Sequence, residues 1–157
     1  MKKIILTTSL YRLRKYRACS DRYAHLVDKL GPEWGDKDDI NLLDILKHNG
    51  VADCLWALCA AVKHPEGTRV MRLMAADFAE AVRSIFERGY PDDKRPRLAI
   101  EAARKFANGE ITDQEHAAEW AATWDTAAWG TPWATAGAAS WAAQAKIIRK
   151  YLGRKPK

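Results

Sequence analysis

Apolar residues recur at three- and four-residue steps along most of the chain. The first such series consists of Leu13, Tyr16, Ser20, Tyr23, Val27 and Leu30. This spacing places the side chains on one face of an amphipathic helix. An N-cap at Thr8 or Ser9 and the Gly31-Pro32 stop predict one continuous helix between those points. Residues 1–8, before the N-cap, are predicted to form an extended arm or a short strand.

Start and stop signals divide the rest of the chain into further helices. Asn49-Gly50 is a helix-stop dipeptide, Pro96 suits a first helical turn, and Thr112 begins the capping box TDQE. The predicted helices cover residues 42–48, 51–62, 69–88, 96–108, 113–128 and 132–152. There is no internal repeat and no strong strand pattern after residue 8. We therefore predict an all-α protein of six to seven helices.

The last two predicted helices pair as an αα-hairpin that is rich in alanine and tryptophan. Five of the seven tryptophans lie between residues 119 and 141, and Gly130-Thr131-Pro132 separates the two arms. Alanine and glycine let two helix backbones approach closely, and indole rings then fill the remaining volume. The rings expected to pack in the core are Trp120, Trp124 and Trp133. Trp141, Ile148 and Leu152 are expected on one face of the second arm.

Length and composition indicate an ordinary globular protein. The 157 residues are 48% apolar and 29% charged, which favours a single domain over residues 1–157 that ends in a basic tail at 153–157. The apolar run after Lys2-Lys3 is too short for a signal peptide, and no run is long enough to span a bilayer. We expect a cytoplasmic protein that is not bound to a membrane.

The cysteines and histidines indicate neither disulfides nor a metal. Cys19, Cys54 and Cys59 are odd in number and lie in apolar helical stretches, as small hydrophobic residues do in a reducing compartment. The spacing of the two nearby histidines, His48 and His64, matches no zinc pattern. We predict that the protein needs no cofactor and no metal.

Charge is distributed unevenly around the net value of +6. Residues 1–30 carry eight Lys/Arg against two acids, and residues 146–157 carry six Lys/Arg and no acid. The region between them is acidic, with a group of carboxylates at Glu33, Asp36, Asp38, Asp39 and Asp44. Two basic ends could create a bipolar surface with one anion site, or could be solvated helix faces. The sequence leaves both interpretations open.

Two segments and the hairpin after them carry a family resemblance. They are ILKHNGVADCLWAL at residues 45–58 and RLMAADFAEAVRSIFERGYPDDKRPRLAIEAARKFANGEIT at residues 72–112. Together these stretches resemble the immunity-protein-five-like family, which gene neighbourhood links to bacterial toxin systems and which also occurs in phages. The resemblance covers about residues 9–150, and this chain departs from it in a shorter tail and a basic stretch after Trp141. It implies a protein that neutralises another molecule by occupying it.

One polar set within the second segment is expected to converge. It consists of Asp77, Arg95, Arg97, Glu101 and Arg104, and helical spacing makes Glu101 a neighbour of both Arg97 and Arg104. Asp77 lies beside an apolar stripe and should need an arginine donor. The set could be a salt-bridge network that stabilises the fold or a cationic site that binds phosphate. In the arrangement that the resemblance implies, Trp56 lies beside Arg97 and Arg104 and contacts a ligand.

Three functions remain open, and none of them is enzymatic. No cysteine is paired with a histidine in a recognisable nucleophile motif, and GTPWATAG lacks the lysine of a phosphate-binding loop. The first function is stoichiometric neutralisation of a toxin or defence component. The second is sequestration of a small anionic nucleotide in an Arg/Trp-lined pocket, to which Arg14 and Arg17 would contribute. The third is nucleic-acid binding by the basic cluster Arg12-Arg14-Lys15-Arg17. A homo-oligomer is possible in each case.

Overall fold

The computed structural model describes residues 2–115 and 141–154, which divide into two compact units. Unit 1 contains Met1–Gly67 and Ile148–Lys157, and unit 2 contains Thr68–Ile147. The described residues form seven α-helices and one two-stranded sheet, which confirms the all-α prediction. The helices are α1 (Leu10–Lys15), α2 (Ser20–Leu30), α3 (Leu42–His48), α4 (Val51–Ala57), α5 (Gly67–Gly89), α6 (Arg95–Ala107) and α7 (Trp141–Tyr151). That residues 1–157 form a single domain stays a prediction.

The N-terminal arm of unit 1 joins two distant parts of the chain. Strand β1 (Thr7–Thr8) pairs antiparallel with β2 (Ile40–Asn41). Ahead of β1, the Ile4 N–H donates to the Tyr151 carbonyl at 3.0 Å, and the Ile4 carbonyl accepts from the Gly153 N–H at 2.8 Å. The arm was predicted, but β2 was not, because a two-residue strand is too short to show an alternating pattern.

The prediction of one helix from Ser9 to Leu30 is wrong, because the chain turns at Arg17. Ser9 caps α1 as expected, and its side chain accepts from the Arg12 N–H. Arg17 then has a φ of 63°, its N–H donates to the Arg14 carbonyl, and the Ala18 N–H donates to the Leu13 carbonyl. These two bonds form a Schellman motif, which usually has glycine at the left-handed position. An arginine there hides the break from a search for helix-stop residues.

The helix after α3 begins at the predicted residue but ends earlier than predicted. Asn49 follows α3, and Gly50, with a φ of 89°, separates it from α4. The predicted helix over residues 51–62 is shorter, because α4 passes into a 3₁₀ turn (Leu58–Ala60) where it stops. The Val62 N–H instead donates to the Thr7 carbonyl at 2.7 Å, so the chain leaves the helix to contact the arm.

The core of unit 1 is built mainly from aliphatic side chains of the N-terminal arm, β2, the helices α1 to α4 and the end of α7. The buried residues include Ile4, Leu6, Leu10, Leu13, Leu26, Ile40, Leu42, Ile45, Leu46, Val51, Ile148 and Leu152. Cys54 is buried among them, and its thiol donates to the Leu42 carbonyl at 3.3 Å. Cys54 is therefore the small hydrophobic residue that the sequence predicts, whereas Cys19 and Cys59 are exposed.

Unit 2 contains two long helices that lie close to their predicted bounds, α5 and α6. Val70, Leu73 and Met74 are buried on α5 as the apolar stripe requires, but Ala81 of the same stripe is exposed. The TDQE capping box also forms. The Thr112 N–H donates to the Glu115 carboxylate at 2.8 Å, and the Glu115 N–H donates to the Thr112 hydroxyl at 3.3 Å. Local sequence signals thus predict the helix starts of unit 2 well.

Most of the predicted Ala/Trp hairpin, including Trp120, Trp124 and Trp133, lies outside the described residues. Of its second arm, α7 is described. Ile148 and Leu152 are buried as expected, but the Trp141 side chain is 58% exposed and does not share their burial. In the described ranges, no helix combines the length and the apolar character needed to cross a membrane.

Candidate functional site

The predicted contact between Asp77 and an arginine is present in unit 2. The Arg104 Nη2 donates to Asp77 Oδ1 at 2.9 Å, and Arg104 Nη1 lies 3.9 Å from a Glu80 oxygen. The Asp77 side chain is 13% exposed, so its carboxylate has lost most of its water. A guanidinium is the donor best suited to such a carboxylate. This pair joins the middle of α5 to α6.

A second set of ion pairs centres on Glu87. Its carboxylate accepts from Arg97 at 2.6 Å and 2.9 Å and from Arg83 at 2.8 Å. Arg83 also donates to Glu80 one turn earlier. The hydrogen bond from Arg97, assisted by that from Arg83, holds the pKa of Glu87 below its ordinary value despite partial desolvation. These contacts link the C-terminal part of α5 to the start of α6.

The remaining two predicted residues of unit 2 pair locally. Arg95 donates from Nε and Nη2 to Asp93, which lowers the pKa of that carboxyl group. Glu101 pairs with Lys105 at 2.8 Å, one turn along α6, instead of with Arg97 or Arg104. The pairing expected from helical spacing was therefore wrong, because Arg97 and Arg104 reach carboxylates on α5. This geometry favours a fold-stabilising network over a phosphate pocket, although the role of these residues stays a prediction.

The three predicted ligand residues of unit 1 lie in different surroundings. Arg14 is 2.6 Å from Asp36 and donates to the Tyr23 hydroxyl at 2.7 Å. Arg17 occupies the left-handed turn position after α1, and the Trp56 side chain on α4 is 40% exposed. The structure thus places Arg14 in an ion pair and leaves the Trp56 ring accessible. The expected ligand contact of Trp56 stays a prediction.

Two further arginines of unit 1 bind main-chain carbonyls. Arg12 donates from Nε to the Ala60 carbonyl and from Nη2 to the Ala61 carbonyl, both at 2.7 Å. Arg22 donates to the Asn49 carbonyl at the end of α3 and to Asp53. These carbonyls lie where helical hydrogen bonding stops and therefore need donors. The basic cluster near residue 12 is thus partly engaged inside the fold, which argues against a continuous nucleic-acid track.

The two basic ends of the chain meet in unit 1. The hydrogen bonds of Ile4 to Tyr151 and Gly153 bring the N-terminal arm beside the end of α7. Here an open depression of about 750 Å³ lies between the arm, α3 and α7. We call it the basic pocket. It is lined by Lys2, Lys3, Ile5, Leu43, Lys47, Arg149, Leu152, Gly153 and Arg154.

Positive charge in the basic pocket is largely uncompensated. Arg154 is 2.5 Å from the Asp44 carboxylate. The other four cations, Lys2, Lys3, Lys47 and Arg149, make no ion pair with an acid among residues 2–115 and 141–154. The pocket can therefore attract anionic groups.

These four residues could not be assigned to one site from the sequence. Lys2, Lys3 and Arg149 belong to the two basic chain ends, which the backbone contacts at Ile4 bring together, whereas Lys47 lies in the acidic region between those ends.

Two features of the described residues concern reactive groups and metal ligands. Burial raises the pKa of the Cys54 thiol to about 12, against the opposing charge of Arg149, so the nucleophilic thiolate is scarce at neutral pH. No group of three or more His, Cys, Asp or Glu side chains that could hold a metal occurs in this part of the chain. Within these residues, the geometry is suited to binding anionic groups.

Comparison with known proteins locates one family match, which covers the middle and much of the second half of the chain. The family model described as "Imm-5 like putative immunity protein" matches residues 64–146, just over half of the 157 residues. The matched stretch includes residues 72–112, the segment on which the sequence resemblance chiefly depends. Residues 45–58 precede it, and their resemblance stays a prediction. No curated protein and no solved structure shows a significant match.

Proposed function

The chain belongs to the Imm-5-like family of immunity proteins, and from that premise we propose that it neutralises a protein toxin or defence component by stoichiometric binding. The observation that carries the proposal is the family match, which spans α5 and α6. An immunity protein acts by occupying its target, so it needs a stable surface and no reactive group. We further propose that it acts in the cytoplasm and is not an enzyme.

The contacts of α5 and α6 support a binding role. The charged residues that could have served chemistry, Asp77, Glu87 and Arg97, make contacts within or between the two helices. A network of this kind holds side chains in fixed positions and so limits the ordering cost of association. It supports a preorganised binding surface better than a reactive centre.

A titration tests the stoichiometric proposal directly. Purified protein is added to lysate of host cells, complexes are separated by size-exclusion chromatography, and mass spectrometry analyses both the protein and the small-molecule fractions. We expect one protein to co-elute in a fixed molar ratio. The identified partner is then inhibited with increasing amounts of the chain, and inhibition should saturate at that ratio. Turnover or modification of the partner by substoichiometric amounts of the chain would contradict binding as the mechanism.

A second candidate is sequestration of a small anionic nucleotide, for which the basic pocket supplies uncompensated positive charge but no aromatic ring that could stack on a base. In the same experiment a nucleotide would appear in the small-molecule fraction, and no protein would co-elute. Heating the complex should then release the nucleotide unchanged. Co-elution of a protein without nucleotide would contradict this candidate and support the first.

A further inference from the structure

We propose that the basic pocket binds an acidic segment of a protein partner that presents both carboxylates and aliphatic side chains on one face. This inference rests on the proposed function, because it names the chemistry of the partner that the chain neutralises. Every residue that lines the pocket lies outside residues 64–146, the stretch that matches the family model. The pocket is thus a feature of this chain that the family match does not describe, and it is available for contacts specific to one partner.

Charge complementarity favours a carboxylate-bearing partner. The pocket has five cationic side chains, and Asp44 pairs with Arg154 at its edge. Lys2, Lys3 and Lys47 have compact ammonium groups on flexible stems, so each can follow a separate carboxylate. They lie on two separate elements, the N-terminal arm and α3, so their ammonium groups need not pair with the same anion. A series of carboxylates fits this distribution better than a single anion.

The apolar part of the pocket favours a segment with aliphatic side chains. Ile5 and Leu43 are only partly buried, and with Leu152 they line the depression between the cations. Exposed aliphatic surface gains free energy when a partner covers it, and inorganic phosphate offers no group that could do so. In an extended segment, successive side chains point to opposite faces, so a segment in which pairs of carboxylates alternate with pairs of aliphatic residues presents both types to the pocket.

The pocket lacks the features of a nucleotide site. None of its nine lining residues is aromatic, so nothing in it can stack on a base. It is also an open depression, whereas sites for small molecules enclose most of the ligand. The exposed aromatic residues Trp56 and Tyr16 do not line the pocket either. A protein segment is therefore the occupant that this geometry supports.

A purely structural role for the same cations must be separated from binding. Lys47 and Arg149 lie in the last turns of α3 and α7, where a cation stabilises the helix dipole. The pocket variant is therefore Lys47→Glu with Arg149→Glu, and its matched control is Lys15→Glu with Lys63→Glu. Lys15 lies in the last turn of α1 and Lys63 on the surface, both outside the pocket. Both variants change the net charge of +6 by the same amount.

The probe is a short fluorescent peptide in which pairs of glutamates alternate with pairs of leucines, and the full-length chain is titrated by fluorescence anisotropy. We expect the pocket variant to bind it about ten-fold more weakly than wild type and the control to bind it within about two-fold of wild type. A peptide with glutamine in place of glutamate should bind wild type as weakly as the glutamate peptide binds the pocket variant. Circular dichroism melting curves establish that both variants are folded, and Lys2→Glu, on the arm, replaces Arg149→Glu if α7 is destabilised.

Three outcomes would overturn the inference. The first is equal peptide binding by the pocket and control variants, and the second is no binding of the peptide to wild type. The third is displacement of the peptide by pyrophosphate or ATP at concentrations below those at which the peptide itself binds, which would make the pocket a phosphate site. If the pocket variant still captures the protein partner in the wild-type ratio, the docking inference fails alone. If wild type binds the peptide but captures no protein, the proposed function fails alone.

Discussion

Unit 1 and unit 2 use their charged side chains in different ways. In the α5–α6 part of unit 2, arginines pair with carboxylates on neighbouring helices, as Arg104 does with Asp77 and Arg97 with Glu87. In unit 1, Arg12 donates to the main-chain carbonyls of Ala60 and Ala61, and Arg22 donates both to the Asn49 carbonyl and to the Asp53 carboxylate. Carbonyls satisfy the hydrogen bonds of a guanidinium without neutralising its charge. Positive charge remains at the surface of unit 1 chiefly in the basic pocket, where Lys2, Lys3, Lys47 and Arg149 make no ion pair within the described residues.

The same contrast separates stability from binding. An ion pair between two helices of unit 2 holds the fold but offers little charge to a partner. The core of unit 1 is aliphatic, and the cations of the basic pocket are not part of it. Four substitutions or conditions test this comparison.

The largest effect is expected in the apolar core of unit 1. Leu42 is fully buried, so Leu42→Ala should lower the free energy of unfolding by about 2–5 kcal/mol through lost burial and the cavity left behind. Urea unfolding followed by circular dichroism measures the change. Leu98→Ala, at a leucine of unit 2 that is 56% exposed, is the control and should change it by less than about 0.5 kcal/mol. Equal costs would show that the aliphatic core does not dominate the stability of unit 1.

Within unit 2, burial should rank the ion pairs. Arg104→Gln should cost about 1.5 kcal/mol, because the poorly hydrated Asp77 carboxylate loses its charged donor. Arg97→Gln should cost about 0–1 kcal/mol, since Arg97 is 61% exposed and Glu87 keeps Arg83. Both variants are compared by urea unfolding. An equal or inverted order would mean that the α5–α6 network does not depend on desolvation.

A smaller effect of opposite sign is expected at the turn after α1. Arg17→Gly should raise the free energy of unfolding by about 0.5–1 kcal/mol, because glycine adopts the left-handed conformation without the steric cost that an arginine Cβ imposes. Lys15→Gly, inside α1, should lower it by about 1 kcal/mol. Thermal melting of the two variants provides the comparison. A loss of stability in Arg17→Gly would show that the arginine side chain makes a stabilising contact.

The smallest effect is the pH dependence of unit 2. Carboxyl groups with a lowered pKa include Glu87, Asp93, Glu101 and Glu115, and these four lie in unit 2. A carboxyl group with a lowered folded-state pKa stabilises the fold above its unfolded-state pKa, about 4. That contribution is lost as the pH falls through the folded-state pKa, so acid should weaken unit 2.

Glu87→Gln tests this sign. The stability difference between wild type and the variant should be largest near neutral pH and should shrink as the pH falls below about 4. Urea unfolding at constant ionic strength measures it, with Glu33→Gln at an exposed position of unit 1 as the control. A difference that does not change with pH would contradict the assigned role of the Arg97–Glu87 pair.

The sequence predicted much of the local structure. Apolar spacing and stop signals predicted α3, α5 and α6, and the capping box at Thr112 formed with the expected partners. Each of these features depends on residues within a few positions of one another, so the local sequence is sufficient to determine it. The same holds for the general class of Asp77's partner, because a carboxylate beside an apolar stripe requires a strong donor.

The sequence could not identify which charged side chains form ion pairs and which stay unpaired. Arg17 ends a helix without glycine, and Arg97 pairs with Glu87 on another helix instead of with Glu101 on its own. The two basic chain ends were visible as composition, but the decisive contacts join Ile4 to Tyr151 and Gly153, far apart along the chain. Residue type and spacing therefore determined the helices, whereas tertiary structure decided the basic pocket, because the field at a surface depends on which distant charges the fold brings together.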